Sequence, residues 1–221
     1  MKNFNKHYII DEGMVYLIGD ILDDTKNVIS KLNEIDLEGS NLIFLGNALV
    51  ENSKELCDYL SGKNINAYFI RGNQTDNFLK NENFYYISEP CEIDIFGNKG
   101  LIIPNLIGHD DEPTVPWDFI DYGENRKKVD FIIGHGGPML ADFFKTDKQY
   151  HQDYLKFGMF TDERKHEQDV YRKILQRYRP RRWYCGHYQM SRQTKFVWDN
   201  WSNDGVINLR ILDKGEISRI A

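Results

Sequence analysis

The stretch MVYLIGDILDD, residues 14–24, decides how the chain is read. Four strand-forming apolar residues, Val15, Tyr16, Leu17 and Ile18, run together and stop at Gly19-Asp20. Such a run is a buried strand with an acid at its tip. In open α/β sheets the carboxyl ends of strands hold the ligand, so Asp20 is a candidate site residue on position alone. The plainer role for it is the cap of a following helix.

Working outward, the same pattern repeats. Residues 24–35 place Val28, Ile29, Leu32 and Ile35 on one helical face, with Asp24 or Thr25 at the start. Residues 41–45 form a second apolar run ending at Gly46-Asn47, a helix is expected over 51–60, and a third run, 67–70, ends at Arg71-Gly72-Asn73. Strands that alternate with helices pair in parallel through right-handed crossovers, which brings Asp20, Asn47 and Asn73 to one edge of one sheet.

Further on, residues 83–103 carry short β-rich runs around Gly97-Asn98-Lys99-Gly100, as in an antiparallel hairpin, and a second sheet is expected to begin there. The long acidic segment 104–125, with His109, Asp110, Asp111 and Glu112, reads as a solvated surface loop, its acids a less favoured source of metal donors. A strand over 129–133 ends at Gly134-His135-Gly136-Gly137-Pro138. Residues 139–164 mix charges with aromatic side chains and could cap a site. A helix over 167–178 is stopped by Pro180, a strand over 183–185 runs into Gly186-His187, and β segments follow around 196–198, 206–212 and 217–220.

Composition sets the class. The 221 residues, with 41% hydrophobic and 14% aromatic content, carry no internal repeat or linker composition, so one domain over 1–221 is expected. The N-terminus has no signal-peptide pattern and no apolar run approaches a membrane span, which points to a soluble cytoplasmic chain. Cys57, Cys91 and Cys185 have no CxxC spacing and are expected as reduced, buried thiols. A net charge of −6 argues against non-specific nucleic-acid binding over the whole surface.

The five strand tips read GD, GN, RGN, GHGGP and GH in chain order. In that order and spacing, from about Val15 to Leu212, the chain resembles the calcineurin-like metallophosphoesterase superfamily, particularly its small bacterial and phage members. The resemblance implies a four-layer α/β/β/α sandwich of two mixed sheets, with the pocket at the strand ends. It also implies a pair of divalent ions about 3.5–4 Å apart that activate a water and clamp phosphoryl oxygens. The positions matching the family's metal motifs are Asp20, Asn47, Asn73, His135 and His187. The match is partial. Leu22 stands where the first motif has His, Asn47 where the second has a bridging Asp, Gln74 where the third has the His that serves as general acid, and Gln189 where the last has its second His.

Sorted by ion, these losses are uneven. One metal of the family's pair would fall to Asp20, Leu22, Asn47 and Gln189, a set with one anionic donor, and is expected to be absent. The other would fall to Asn47, Asn73, His135 and His187, which implies one weakly held divalent ion (Mn, Zn, Fe or Mg) or none. Without two cations there is no bridging hydroxide, and Gln74 cannot protonate a leaving group as His would. The expectation is a metallophosphoesterase-like fold with its two-metal chemistry lost, a pseudoenzyme that binds a phosphorylated small molecule, a nucleotide or a protein partner. The alternative is a phosphoesterase working with a single ion.

Basic residues cluster around the fifth tip: Arg172, Lys173, Arg177, Arg179, Arg181, Arg182, Arg192 and Lys195. With Arg71 they could form an anion pocket, Arg71 and Arg192 being the candidates for holding phosphate, because guanidinium binds phosphate oxygens in pairs. A solvated helix face and strand rim is the favoured reading of the cluster as a whole. Trp183, Tyr184 and Tyr188 alternate with these bases and could stack on a nucleobase, a less favoured nucleic-acid role.

Overall fold

The apolar run that opens the reading is a strand with all four side chains buried, β2 (Val15–Ile18). A fully buried strand needs neighbours on both edges and cover on both faces, and the computed structural model supplies both. It describes residues 6–22, 24–47, 50–73, 82–105, 128–138, 162–188, 191–197 and 206–221. The remaining strands are β1 (His7–Ile10), β3 (Asn41–Phe44), β4 (Asn66–Ile70), β5 (Phe84–Ile87), β6 (Cys91–Ile95), β7 (Asn98–Ile103), β8 (Phe131–Gly134), β9 (Arg182–Cys185), β10 (Arg192–Val197), β11 (Val206–Ile211) and β12 (Ile217–Arg219). Three helices, α1 (Thr25–Leu32), α2 (Val50–Ser61) and α3 (Asp162–Tyr178), complete the described elements.

The strands form two mixed sheets. A five-stranded sheet has the order β12-β2-β3-β4-β5, and a seven-stranded sheet the order β1-β6-β7-β8-β9-β11-β10. In the first, β2, β3, β4 and β5 are parallel and β12 returns antiparallel on β2. The expected parallel βαβ core is therefore present, and Asp20 and Asn47 follow adjacent strand ends. In the second, β7, β8, β9 and β11 run parallel, so His135 and His187 also follow neighbouring ends.

Alternation of side chains across each strand divides the apolar residues into three groups. One mixes Val15, Leu17, Ile43 and Tyr68 of the small sheet with Ile93, Ile102, Phe131 and Ile133 of the large one, so the two sheets share a core. A second joins the large sheet to α3 through Trp183, Leu209, Tyr171 and Ile174. A third joins the small sheet to α1 and α2 through Phe44, Phe69, Val28 and Leu56. This arrangement is consistent with a sandwich. Within it Phe44 and Phe69 stack with ring centroids 4.6 Å apart.

Several expectations are refined. β5 pairs in parallel with β4 and belongs to the small sheet; the change of sheet comes at β6, and the hairpin turns at Phe96-Gly97, two residues before the Asn98-Lys99 centre of the expected Gly97–Gly100 turn. β1 is an addition, an edge strand parallel to β6, in a segment whose short run Tyr8-Ile9-Ile10 ends at Asp11 without a Gly-and-polar tip. α3 begins five residues before the expected start, and Asp24 precedes α1 without a side-chain capping bond. All three cysteines are free and buried, and burial pushes the Cys57 thiol up to about 11 and the Cys91 thiol up to about 12, which makes them inert. No helix among the described residues is long and apolar enough to cross a membrane. The acidic loop 106–125, Gln74, Gln189 and residues 139–161 lie outside the described residues.

Candidate metal centre

Four strand ends, two from each sheet, meet at one place. Asp20 lies two residues past β2, Asn47 three past β3, His135 directly after β8 and His187 two past β9. Asp20 is 2% exposed, and Asn47 and His135 are similarly buried. The sheets are tied together here, since the His135 Nδ1 hydrogen is donated to the Leu45 carbonyl at 2.9 Å across the gap. That bond fixes the tautomer and turns Nε2 inward, where it lies 3.0 Å from His187 Nδ1.

Buried polar groups must find partners, and the pairing at Asp20 is informative. Its Oδ2 accepts a hydrogen bond from the Asn47 carboxamide Nδ2 at 2.8 Å. Its Oδ1, equally buried, has no conventional hydrogen bond. His135 Nδ1 lies across an ion-pair distance of 3.5 Å from Oδ1. Asp20, His135 and His187 each offer a ligand atom within 4.8 Å of the others, and together they form a group that could hold a metal ion. One carboxylate and two imidazoles are a donor set suited to a divalent first-row metal, and the orphaned Oδ1 is the kind of atom a cation would satisfy.

The backbone around this cluster is unusual. Leu22, Asn47 and His187 all have positive φ (51°, 47° and 64°), and they make up three of the five non-glycine residues with that conformation among those described. Asn tolerates the left-handed region, but Leu does so at a cost, and such outliers gather at functional sites. The Leu22 and Asn47 turns are joined by a 2.7 Å bond from Leu22 N–H to the Asn47 carbonyl. Glycines supply the remaining room: a Cβ on Gly46 would come within 2.3 Å of His135 Nδ1.

Behind the histidines a brace of aromatic side chains holds the two loops. The Tyr188 hydroxyl donates to the Gly137 carbonyl at 2.5 Å and accepts from the Gly137 N–H at 3.3 Å, linking the loop after His135 to the loop carrying His187. Trp183 Nε1 donates to the Gly136 carbonyl, and the Tyr171 hydroxyl donates to the buried Glu167 beneath. Burial holds the Tyr171 and Tyr188 phenols well above their ordinary range, so both stay protonated donors. Tyr188→Phe is expected to cost about 1 kcal/mol, one net hydrogen bond, and to loosen the histidine spacing. Denaturant unfolding checks the first effect, and metal affinity, weakened several-fold, checks the second.

The charges at the centre are coupled. Burial pushes the Asp20 carboxyl up, yet the facing His135 outweighs it, and the net position is below the usual carboxylate value. For His135 burial pushes down, while Asp20 and its other partners carry the imidazole above its usual value. A raised histidine stabilises the fold fully below its unfolded pKa of about 6.5 and ceases to as pH rises through the folded value. Asp20, being lowered, contributes above about pH 4 and loses its contribution as pH falls through its folded value. The pair is therefore most stabilising in mildly acidic solution. Thermal unfolding of metal-free protein should show stability falling above neutral pH, and Asp20→Asn should flatten that slope.

The other expected residues lie differently. Asn73 is exposed beyond the end of β4. Arg71 is half-buried and donates to the Asn105 carbonyl at 3.4 Å. Arg192 opens β10, on the row formed with Ile211 and Cys185, at the edge of the large sheet. The basic cluster does not converge on the centre: Arg172 pairs with Asp169 on the exposed side of α3, and Arg181 and Arg182 sit at the opposite end of β9 from His187. The motif pattern divides Asp20 and the two histidines between two ions, whereas the shared tip of the two sheets brings all three together, a juxtaposition that no spacing in the sequence signals. No family model and no curated protein matches this chain.

Proposed function

We propose that this chain is a metallophosphoesterase-like protein of the calcineurin type, a four-layer α/β/β/α sandwich. In this reading it holds one divalent ion between Asp20, His135 and His187 and binds a phosphorylated ligand without the family's two-metal hydrolysis. The carrying observation is the Asn47 to Asp20 hydrogen bond. Where the family has a carboxylate bridging two cations, this chain has an amide whose N–H already satisfies Asp20 Oδ2. An amide hydrogen pointed at that oxygen takes the place a second cation would fill, and Leu22 offers no donor to replace it. The remaining set, Asp20 Oδ1 with the two imidazoles, suits one ion, with the Nδ1 hydrogen of His135 on Leu45 orienting that ring as outer partners of metal-bound histidines do. When bound, that ion supplies a Lewis acid for a phosphoryl oxygen. Arg71 and Arg192 flank the strand ends and are the candidates for the remaining phosphate charge.

The proximity of three strong donors favours a second reading, a phosphoesterase that works with the single ion. The deciding experiment compares turnover of bis(p-nitrophenyl) phosphate with binding of a nucleoside monophosphate, each with manganese or zinc. The proposal expects no turnover above the free ion, together with binding that His135→Ala abolishes. Metal-stimulated turnover lost in His135→Ala would replace it with the single-ion enzyme.

A further inference from the structure

The two sheets part at the end of the molecule away from the metal centre, leaving a cavity of about 110 Å³ lined by apolar Ile95, Phe131, Tyr184, Ile220 and Ala221 and by polar Asn98, Asp130, Arg181 and Arg182. Its floor is the open end of the core that the sheets share, since Ile95 and Phe131 belong to that core and Tyr184 and Ile220 pack against it. Strand alternation explains why arginine stands over an apolar floor. Trp183 and Cys185 face α3, so Arg182 and Tyr184 face the other sheet, and Arg182 sits in register beside Phe131.

A charge on an inter-sheet face is costly to bury without a partner, and Arg182 and Arg181 both remain exposed. Among the described residues neither guanidinium has an ion-pair partner. The nearby carboxylate, Asp130, keeps its charge while its Oδ2 accepts the Lys99 backbone N–H at 3.0 Å, and it pairs with neither guanidinium. The cavity thus pairs an apolar floor with an uncommitted planar cation, Arg182, on the inter-sheet face, and with Arg181 beside it.

We infer that this cavity is a second binding site, distinct from the metal centre, for a small amphipathic anion: a flat apolar body about the size of one aromatic ring that carries a carboxylate or phosphate. Size and chemistry fit together. An enclosed apolar cavity of about 150 Å³ takes up benzene. A somewhat smaller one with an open mouth accepts a ring whose substituent stays outside. Arginine meets an oxyanion there in a bidentate manner. The floor selects for the ring and the rim for the charge, so neither part alone should bind well.

The test is titration of the 221-residue chain with phenyl phosphate, benzoate and inorganic phosphate, followed by amide NMR shifts. Expected is saturable binding of both aromatic anions, with shifts at Phe131, Arg182 and Tyr184, at least tenfold tighter for phenyl phosphate than for inorganic phosphate. Arg182→Glu, an exposed change that leaves the core intact, should weaken it at least tenfold, and His135→Ala should leave it unchanged. Three results would each overturn the inference: no saturable binding, equal affinity for inorganic phosphate, or shifts confined to residues around His135 and His187 that vanish in His135→Ala. The last would instead support the phosphate-binding reading of the metal centre, so the two proposals stand or fall separately.

Discussion

Asn47→Asp is expected to make the stability of this fold depend on a metal ion more steeply than the parent chain's does. Asn47 Nδ2 lies 2.8 Å from Asp20 Oδ2 in a buried setting, so the substitution replaces a hydrogen bond with two carboxylates face to face. Like charges at that distance cannot both remain ionised without a cation between them, and one carboxyl is forced to take up a proton at neutral pH. In metal-free protein the loss should be about 3 kcal/mol, from the broken bond and the raised carboxyl together. For a chain of this length that is a fall in Tm of about 6–12 °C. The backbone does not contribute, because Asp tolerates the left-handed conformation at 47 as Asn does. Adding manganese or zinc at about a thousandfold over its Kd should return about 4 kcal/mol. Asn47→Ala is the control: it loses the bond and adds the cost of alanine in a left-handed conformation, but creates no repulsion, so it should gain no more from metal than the parent chain. Calorimetric scans of the three proteins with and without metal check this.

Gly46→Ala carries the second large effect. Gly46 has φ of +129°, a region alanine rarely occupies, and its Cβ would stand 2.3 Å from His135 Nδ1. The imidazole has nowhere to go, being buried and held to the Leu45 carbonyl on one side and against His187 on the other. The substitution should cost about 3 kcal/mol, from backbone strain and overpacking together, and should abolish metal uptake. Gly39→Ala separates the two causes. Gly39 also has a left-handed φ, +66°, but its Cβ would meet nothing within 4 Å, so about 1 kcal/mol of strain is all that should be lost and metal uptake should be kept. Equal loss of metal in both variants would show that the Gly46 contact with His135 is not what positions the ring.

Much of this arrangement was legible in the chain because it is written locally. A short apolar run that stops at Gly followed by Asp, Asn or His is both a buried strand and its tip. That one pattern located β2, β3, β4, β8 and β9 and, with them, Asp20, Asn47, His135 and His187. The parallel core of the small sheet followed from the alternation of strands with helices. What was not legible depends on pairing between distant segments. His7–Ile10 carries an apolar run of only three residues with no Gly-and-polar tip after it, and its place at the edge beside β6 is a long-range pairing. The assignment of β5 to the small sheet depends on β4 beside it, which no local turn residue announces. The sharing of Asp20 with the two histidines rests on how two separate sheets meet, and the division of the arginines between the ends of β9 depends on which residues border the cavity there. Neither leaves a mark on spacing.

The measurement that tests the central claim most directly is the number of metal ions per chain. The 221-residue chain would be incubated with excess manganese or zinc, freed of unbound ion and assayed by elemental analysis, beside His135→Ala. One ion per parent chain and none in the variant is the predicted result. Two ions per parent chain would contradict the argument that Asn47 and Leu22 have closed the second position, and none would contradict the assignment of Asp20, His135 and His187 as a metal centre.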